Sequence, residues 1–350
     1  MSDLKTIVKL SHEFGGEDYV KGGGGNTSVK NETTLWVKPS GTTLGGLTEE
    51  TFVAMNRAKV NELYEVETPA EAAAREELVK NLMAEAVEND AGRPSVEAPL
   101  HNVFEAKLVV HTHPALVNGL TCAKNGKAAC ERLFPDALWV EYIDPGYTLC
   151  MEVRERIEDY KTANGKEPAL LVLQNHGIFI AADTSGEIHE LYGRVMDALK
   201  AEYAEAGITM ELEVAKSVAS AGTEEQIKTV FGDDAAFVAS SGIFPVAPGP
   251  ITPDHLVYSK AFPFVGDLTA EVATQYKSER GYAPKVVVSG DCVYGIGNSQ
   301  KNADLALELA QDGALVMQLT EAFGGINYMT DAQREFIENW EVESYRQKQV

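Results

Sequence analysis

The 350-residue chain is acidic, because 53 aspartates and glutamates against 30 lysines and arginines give a formal net charge of −23. A charge of this sign argues against sequence-independent binding to nucleic acid and against docking on an anionic membrane surface. Hydrophobic residues make up 44% of the chain, enough to bury the core of one large or two ordinary domains. The N-terminus lacks a secretory signal pattern, and no apolar run approaches the ~18 residues of a membrane span. We therefore expect a cytoplasmic protein with neither nucleic-acid nor membrane partners.

The stretch from residue 21 to 30, KGGGGNTSVK, joins four glycines to amide and hydroxyl side chains. Its composition suits either a flexible hinge or a loop whose backbone wraps an anion. Residues 27–37 predict a hairpin, so the turns at 25–28 (GNTS) and 38–42 (KPSGT) should lie close together at its outer ends. Together they suit an oxyanion, with Lys38 supplying charge, although two plain glycine turns remain the alternative.

The next predicted element is a helix over residues 69–88. Thr68 and Glu71 have the spacing of a capping box, and Pro69 occupies the first helical position. Two apolar rows then recur at helical spacing: Leu78, Leu82 and Ala86, and Val79, Met83 and Val87.

Buried strand patterns follow this helix. Residues 108–110 (LVV) predict a short strand, and Pro114 can begin the helix after it. Residues 169–182 predict two apolar strands that meet at the tripeptide NHG (175–177). Strand pairs that alternate with single helices predict sheet layers covered by helices.

A second capping box, Thr184 with Glu187, predicts a helix through about residue 206, ended by Gly207. A polar stretch then leads to residues 240–255, where proline and glycine concentrate and a boundary or long connection is expected.

Beyond this connection, residues 285–297 predict a hairpin. Residues 302–319 predict a helix that Gly313 bends or ends. We expect two domains, residues 1–210 and residues 211–350.

His111 and His113 come first among the residues that could carry chemistry. Two histidines at i and i+2 on a strand point to one face, so both rings can reach one metal ion. Taken alone, such a pair is more often two polar residues at a strand end. His176 adds a third ring at a hairpin tip between apolar runs, and a close pair with a distant third is typical of a catalytic metal site. Three other histidines are interpreted as structural: His12, His189 and His255.

Glu97 lies in a proline-bracketed turn, RPSVEAPLHN, before the predicted strand of His111. A glutamate on an ordinary turn is usually solvated. Near three histidines and a metal ion, it could act as an acid/base or as a ligand that substrate displaces. His101 could orient Glu97 or serve packing alone.

Five blocks in order, GGNTSVK, KPSGTTLGGLT, PSVEAPLH, VVHTHP and LLVLQNHGIFI, resemble the class II aldolase/adducin family over about residues 5–205. The C-terminal part is similar to the aldolase portion of bifunctional rhamnulose-phosphate aldolase/dehydrogenase proteins, and no dehydrogenase domain is expected here. The resemblance implies a three-layer α/β/α sandwich with a largely antiparallel central sheet, plus a smaller C-terminal α/β region.

The resemblance also implies roles for single residues. His111, His113 and His176 correspond to the family's metal ligands, usually for zinc, with Mn²⁺ as another divalent ion, and Glu97 corresponds to its acid/base. The expected substrate-binding residues are Gly25, Asn26, Thr27, Lys38, Ser40, Gly41 and Ser95. The better-known aldolases carry a serine directly before the glutamate, where this chain has Val96.

Family members commonly form tetramers, so a homo-oligomer is expected. A tyrosine of a neighbouring subunit can then protonate the aldehyde, and Tyr142 and Tyr147 are the candidates. The expected reaction is cleavage of a ketose 1-phosphate, with L-rhamnulose 1-phosphate giving dihydroxyacetone phosphate and lactaldehyde. The alternatives are 4-epimerisation of a sugar phosphate, cleavage or decarboxylation of a non-phosphorylated sugar acid, and an adducin-like interaction module without catalysis.

Overall fold

The structure, a computed structural model, describes residues 2–340. Its internal contacts define two compact units within these residues. The first comprises residues 2–117 and 127–198, and the second comprises residues 118–126 and 199–340.

Helices and strands are interspersed through residue 205. The helices are α1 (Asp3–Glu13), α2 (Arg57–Glu62), α3 (Ala72–Ala86), α4 (Ala98–Val103), α5 (Ala115–Thr121), α6 (Gly126–Leu133), α7 (Tyr147–Asn164) and α8 (Ser185–Glu205). The strands are β1 (Asn26–Lys30), β2 (Thr34–Val37), β3 (Val53–Asn56), β4 (Leu108–Thr112), β5 (Leu138–Val140), β6 (Leu170–Leu173) and β7 (Gly177–Ala182).

The remaining elements follow residue 205. The helices are α9 (Ala221–Phe231), α10 (Pro253–Tyr258), α11 (Ala270–Arg280), α12 (Gln300–Thr320) and α13 (Asp331–Asn339). The strands are β8 (Phe237–Gly242), β9 (Phe264–Val265), β10 (Val286–Ser289) and β11 (Cys292–Gly297).

The seven strands of the first unit form one sheet in the order β3-β2-β1-β4-β7-β6-β5. All neighbours pair antiparallel except β5, which runs parallel to β6. The expectation of a largely antiparallel central sheet is therefore confirmed. Its two inner strands β1 and β4 pair so that Asn26 lies opposite His111, which places the glycine turn beside the predicted metal ligands.

Helices cover both faces of this sheet. On one face, α4 and α7 pack against side chains of β4 and β7, and Phe104, Ile157 and Phe179 are fully buried there. On the other face, Phe14 at the end of α1 stacks on Tyr192 of α8 with ring centroids 4.1 Å apart. Helices on both faces give the expected three layers.

The second unit contains a four-stranded sheet in the order β8-β11-β10-β9. One face packs Val287, Tyr294 and Ile296 against the helical residues Ile227 and Phe231 of α9. The other face packs Val286 and Val293 against α12. This unit is the smaller α/β region expected from the sequence.

The predicted hairpins at 27–37, 169–182 and 285–297 are all present. The capping box at the start of α8 is also confirmed. Glu187 donates its backbone N–H to Thr184 Oγ1 at 3.3 Å, and its carboxylate accepts the Thr184 N–H at 3.0 Å.

The predicted start of α3 is wrong. The helix begins at Ala72, because the Glu71 carboxylate accepts the Ala74 backbone N–H at 2.8 Å and so caps the helix itself. A glutamate three residues after a threonine can reach forward into the first turn as well as back. Thr68 therefore does not begin the helix.

The prediction that a helix could end at Gly313 is also wrong. Helix α12 continues through it from Gln300 to Thr320. A Cβ at residue 313 would lie 2.9 Å from Ile251 Cδ1 and 3.1 Å from His255 Cδ2. This glycine therefore serves the close approach of neighbouring side chains.

The four cysteines are free and buried. Within residues 2–340, no helix combines the length and hydropathy needed to cross a membrane.

Candidate metal centre and carboxylate

His111 lies on the central strand β4 with its ring fully buried. The ring stacks on Phe179 of β7, with centroids 3.8 Å apart and planes 11° apart. Its Nδ1 lies 2.8 Å from the Ile178 carbonyl oxygen. Because a carbonyl only accepts, Nδ1 must carry the hydrogen, which leaves the lone pair on Nε2. The local structure therefore presents Nε2 of His111 to the site.

His113 and His176 bring two further rings to this nitrogen. His113 Nε2 lies 2.9 Å from His111 Nε2, and the ring centroid of His176 lies 5.0 Å from each of the other two. One ligand atom of each histidine lies within 4.8 Å of the others. The predicted convergence of the three histidines is therefore present in the structure.

The turn that carries His176 depends on its two neighbours. Asn175 adopts a positive φ of 50°, which asparagine tolerates better than most residues. A Cβ at Gly177 would lie 2.4 Å from the Thr112 carbonyl oxygen and 2.6 Å from His113 Cδ2. Glycine at 177 is therefore required for the two histidine-bearing segments to meet.

Glu97 lies against the histidines, directly before α4. Its Oε2 is 3.4 Å from His111 Nε2, and its Oε1 is 3.7 Å from His176 Nε2. The Asn26 amide donates to Oε2 at 2.7 Å. Burial by itself would raise the pKa of Glu97, but His111, His176 and the Asn26 amide lower that pKa to about 2. The Asn26 N–H donor thus stabilises the ionised form of this buried carboxyl group.

The donor set fits a divalent cation. Burial holds the pKa of His111 well below its usual range, so its imidazole stays neutral as a metal ligand must. Among the described residues, the buried Oε1 of Glu97 accepts no hydrogen bond. Three imidazoles and one nearby carboxylate are the ligand types that zinc and similar ions take in catalytic sites.

The glycine turn is packed, which decides between hinge and ordered loop. Gly25 has a φ of 66°, and a Cβ there would lie 2.7 Å from the His111 carbonyl oxygen. Lys38, which is buried, donates its Nζ to the Gly23 carbonyl oxygen at 3.2 Å. Its backbone N–H also donates to the Thr27 carbonyl at 3.1 Å, so the two predicted turns are adjacent.

Ser40, Gly41 and Ser95 belong to the same neighbourhood. Ser95 donates its backbone N–H to the Lys38 carbonyl at 3.0 Å, and Ser40 donates its own to the Arg93 carbonyl at 2.8 Å. Gly41 follows with a φ of 78°. Strand β2 and the segment before Glu97 are thereby tied together next to Asn26.

Thr27 is placed differently from Asn26, because successive side chains of a strand point to opposite faces. Its hydroxyl lies 2.6 Å from Ser11 Oγ of α1, and both side chains are fully buried. The Thr27 side chain is therefore on the face of the sheet opposite to Glu97.

The two tyrosines take different places. Tyr142 follows β5, and its backbone N–H donates at 3.3 Å to the side chain of Gln174, two residues before His176. Tyr147 begins α7 and packs against the apolar cluster that contains Leu35 and Val37. The structure thus links Tyr142 to the histidine-bearing turn and uses Tyr147 in packing.

Sequence reasoning missed two polar residues beneath the site. Ser28 Oγ lies 2.8 Å from His101 Nδ1, and the buried Lys30 donates its Nζ to the His101 carbonyl at 2.8 Å. The period of two along β1 places both on the face of Asn26, and that alternation was the available signal. Burial lowers the pKa of Lys30 to about 7; Arg57 also lowers it, whereas Glu167 and Asp183 oppose the shift.

The structure also separates the other histidines. His189 is exposed and paired with Glu13 at 2.8 Å, and His12 lies 2.7 Å from the Leu47 carbonyl oxygen. His255 is buried in the second unit. These three lie in local contacts of their own, in agreement with their structural interpretation.

The chain is similar to known proteins over about half of its length. Over 193 residues the chain is 29% identical to an uncharacterised oxidoreductase of Bacillus subtilis, YuxG, matching 52% of this chain and 27% of that protein. It is 24% identical over 189 residues to an L-fuculose phosphate aldolase of Methanocaldococcus jannaschii, matching 50% of this chain and 82% of the relative. The chain thus spans about a quarter of the length of the Bacillus protein.

A solved structure is similar to part of the chain. The N-terminal class II aldolase domain of a conserved protein from Thermoplasma acidophilum has a TM-score of 0.49 and 25% identity, and it covers 57% of this chain and 93% of that one. The family model of the class II aldolase and adducin N-terminal domain matches residues 5–203, which is more than half of the chain. The chain belongs to the class II aldolase and adducin N-terminal domain family.

Proposed function

We propose that this protein is a metal-dependent aldolase that cleaves a ketose 1-phosphate into dihydroxyacetone phosphate and an aldehyde. The observation that carries the proposal is the buried carboxylate of Glu97, whose two oxygens lie 3.4 Å from His111 Nε2 and 3.7 Å from His176 Nε2. An adducin-like interaction module would have no need of such a group, and its burial without a ligand would be costly.

His111, His113 and His176 would hold the cation, Zn²⁺ or Mn²⁺. When bound, such a cation supplies Lewis-acid stabilisation of the negative charge that develops on the sugar oxygens as the C3–C4 bond breaks. Neutral imidazole ligands leave the full charge of the cation available for this purpose.

Glu97 would handle the proton on C3. In the condensation direction its ionised carboxylate takes a proton from C3 of dihydroxyacetone phosphate, and in the cleavage direction it returns that proton to C3. The C4 hydroxyl loses its proton to water or to the phenolate form of a tyrosine as the C3–C4 electron pair stays with C3, and C4 becomes the aldehyde. We assign the tyrosine role to Tyr142 or Tyr147 of a neighbouring subunit in a homo-oligomer, with a tetramer as the first expectation.

The phosphate would lie at the two adjacent turns. Their residues offer backbone N–H groups, hydroxyls and the Lys38 ammonium, which are donors suited to an anion. The proposed contacts are Gly25, Asn26, Thr27 through its backbone, Lys38, Ser40, Gly41 and Ser95. Holding the phosphate there would fix C3 near Glu97, and well-oriented binding is worth on the order of 7–11 kcal/mol at best.

L-rhamnulose 1-phosphate is our first substrate, with lactaldehyde as the aldehyde, because the C-terminal part resembles rhamnulose-phosphate aldolases. We assign catalysis to residues 1–210 and propose a cytoplasmic location. Val96 favours a second candidate, a non-phosphorylated sugar acid, since it removes one hydroxyl from the expected phosphate site.

A substrate screen tests the proposal. Purified protein loaded with zinc or manganese is given L-rhamnulose 1-phosphate, L-fuculose 1-phosphate and a set of sugar acids, and dihydroxyacetone phosphate and free aldehyde are measured. Release of both from a ketose 1-phosphate is the expected result. Interconversion of sugar phosphates without free aldehyde would make the protein a 4-epimerase, and turnover of the acids alone would select the second candidate.

A further inference from the structure

His101 lies one helical turn after Glu97 in α4, and it does not touch Glu97 directly through its ring. The ring is fully buried and meets Phe179 edge-on, with centroids 5.4 Å apart. Lys30 fixes its backbone by donating to the His101 carbonyl at 2.8 Å. The contact with Phe179 and the anchored backbone therefore hold the ring in one position.

A chain of three hydrogen bonds runs from Ser28 through His101 and Asn26 to Glu97. Ser28 Oγ lies 2.8 Å from His101 Nδ1, His101 Nε2 contacts Asn26 Oδ1, and Asn26 Nδ2 lies 2.7 Å from Glu97 Oε2. All four side chains are buried. A buried network of this kind is stabilised only when every member has a partner.

The direction of each hydrogen bond follows from Glu97. A carboxylate only accepts, so the Asn26 amide nitrogen must face it and the Asn26 carbonyl oxygen must face His101. His101 must then donate from Nε2, and a neutral ring accepts at Nδ1 from the Ser28 hydroxyl. Burial lowers the pKa of His101 to about 3, which agrees with a neutral ring.

The network forms a hydrogen bond with one carboxylate oxygen of Glu97 and none with the other. Asn26 Nδ2 also donates to Ser95 Oγ at 3.2 Å, so the nitrogen end of the amide has two acceptors, while His101 holds the oxygen end. Among the described residues, Glu97 Oε1 accepts no hydrogen bond. The Asn26 amide therefore holds Oε2, whereas Oε1, 3.7 Å from His176 Nε2, is the oxygen available to a substrate.

We infer that His101 is a positioning residue, which sets the orientation of the Asn26 amide and thereby keeps Oε1 of Glu97 directed at the reacting carbon. This inference rests on the proposed aldolase function. Without the Nε2 donor, the buried carbonyl oxygen of Asn26 loses its partner. The amide is then held only through Nδ2, so it can tilt away from Glu97 Oε2 and free Glu97 to rotate about its terminal bond.

Two substitutions at residue 101 test the role. His101→Leu removes the donor, whereas His101→Gln keeps an N–H donor at a similar distance from the backbone. We expect His101→Leu to lower kcat for cleavage by about 10- to 100-fold, with KM within about twofold and metal content unchanged. His101→Gln should restore most of the wild-type kcat.

Ser11→Ala is the matched control for removal of a buried hydrogen bond. Ser11 lies on the opposite face of the sheet, where its hydroxyl is 2.6 Å from Thr27 Oγ1. The Ser11→Ala substitution should lower the unfolding temperature without changing kcat. Wild-type kcat in folded, metal-loaded His101→Leu would overturn the inference, as would a His101→Gln variant no more active than His101→Leu.

Crystal structures of the wild type and His101→Leu give a readout that needs no turnover. We expect the distance from Asn26 Nδ2 to Glu97 Oε2 to open beyond hydrogen-bonding range only in the variant. An unchanged distance would overturn the inference even if no substrate is cleaved. If the wild type shows no aldolase activity while this distance opens in His101→Leu, the proposed function is refuted and the positioning role is supported.

Discussion

His111 in the first unit and His255 in the second are both buried histidines, but their ring nitrogens face different partners. His255 Nδ1 lies 2.7 Å from Thr252 Oγ1 at the start of its own helix, and its Nε2 lies 3.2 Å from Asp312 Oδ2 of α12, so both nitrogens face side-chain oxygens. His111 has an oxygen partner for Nδ1, whereas its Nε2 faces His113 and Glu97. Burial of a histidine therefore does not by itself indicate a metal site. The distinguishing feature of His111 is that nitrogen lone pairs of several histidines converge there.

Removing one of the three converging imidazoles should have the largest effect on metal binding and on activity. We expect wild-type protein to bind about one divalent metal ion per chain and His113→Ala to lose it, because two histidines hold zinc far more weakly than three. Metal analysis after dialysis measures the change, and activity should fall with it. The exposed His189→Ala is the control and should keep its metal; full occupancy in His113→Ala would disprove the ligand assignment.

Changing the carboxylate separates metal binding from proton transfer. Glu97→Gln should retain the metal ion but lose about 10²- to 10⁴-fold in kcat, since an amide cannot take the proton from C3. Steady-state kinetics with parallel metal analysis measure both quantities. The exposed Glu105→Gln should behave as wild type. Normal turnover by Glu97→Gln would rule out the acid/base role.

Breaking the His255 contact should instead affect stability. Asp312→Ala leaves a buried ring without its carboxylate, so we expect the free energy of unfolding to fall by about 3 kcal/mol. Denaturant unfolding measures this fall, and metal content should not change. Asp304→Ala on the exposed side of the same helix should cost less than about 0.5 kcal/mol. Loss of metal in Asp312→Ala would remove the distinction between the two histidines.

Lys30, which lies beneath the site, should make a smaller contribution, a pH dependence of the free energy of unfolding. Its pKa is lowered to about 7 in the folded protein, chiefly by burial, whereas an unfolded lysine titrates near ~10.4. Between these values the unfolded chain binds more protons, so this residue makes the free energy of unfolding rise with pH.

A comparison with Lys30→Met isolates this contribution. From pH 7 to 8.5, wild type should gain about 1.5 kcal/mol relative to the variant, measured by denaturant unfolding at both pH values. The exposed Lys9→Met should follow wild type. Equal pH dependence in Lys30→Met and wild type would show that Lys30 titrates alike in the folded and unfolded states.

Much of the fold could be predicted because its signals are local. Apolar runs and turn residues located the hairpins around residues 31 and 176, and the Thr184 capping box located a helix start. The errors at Glu71 and Gly313 have another origin. A side chain that can cap in either direction, and a glycine needed for close packing, both depend on neighbours in space.

The sequence by itself predicted the three histidines, Glu97 and the two polar turns as candidate site residues. Strand alternation and the order of the sequence motifs were sufficient for that prediction. Only the tertiary structure decided that the glycine stretch is a packed turn, since the His111 carbonyl approaches Gly25 from another strand. It also decided that the Asn26 side chain holds Glu97 and that Thr27 faces α1. Hydrogen bonds between residues 16 to 75 positions apart are set by the pairing of strands and the packing of helices.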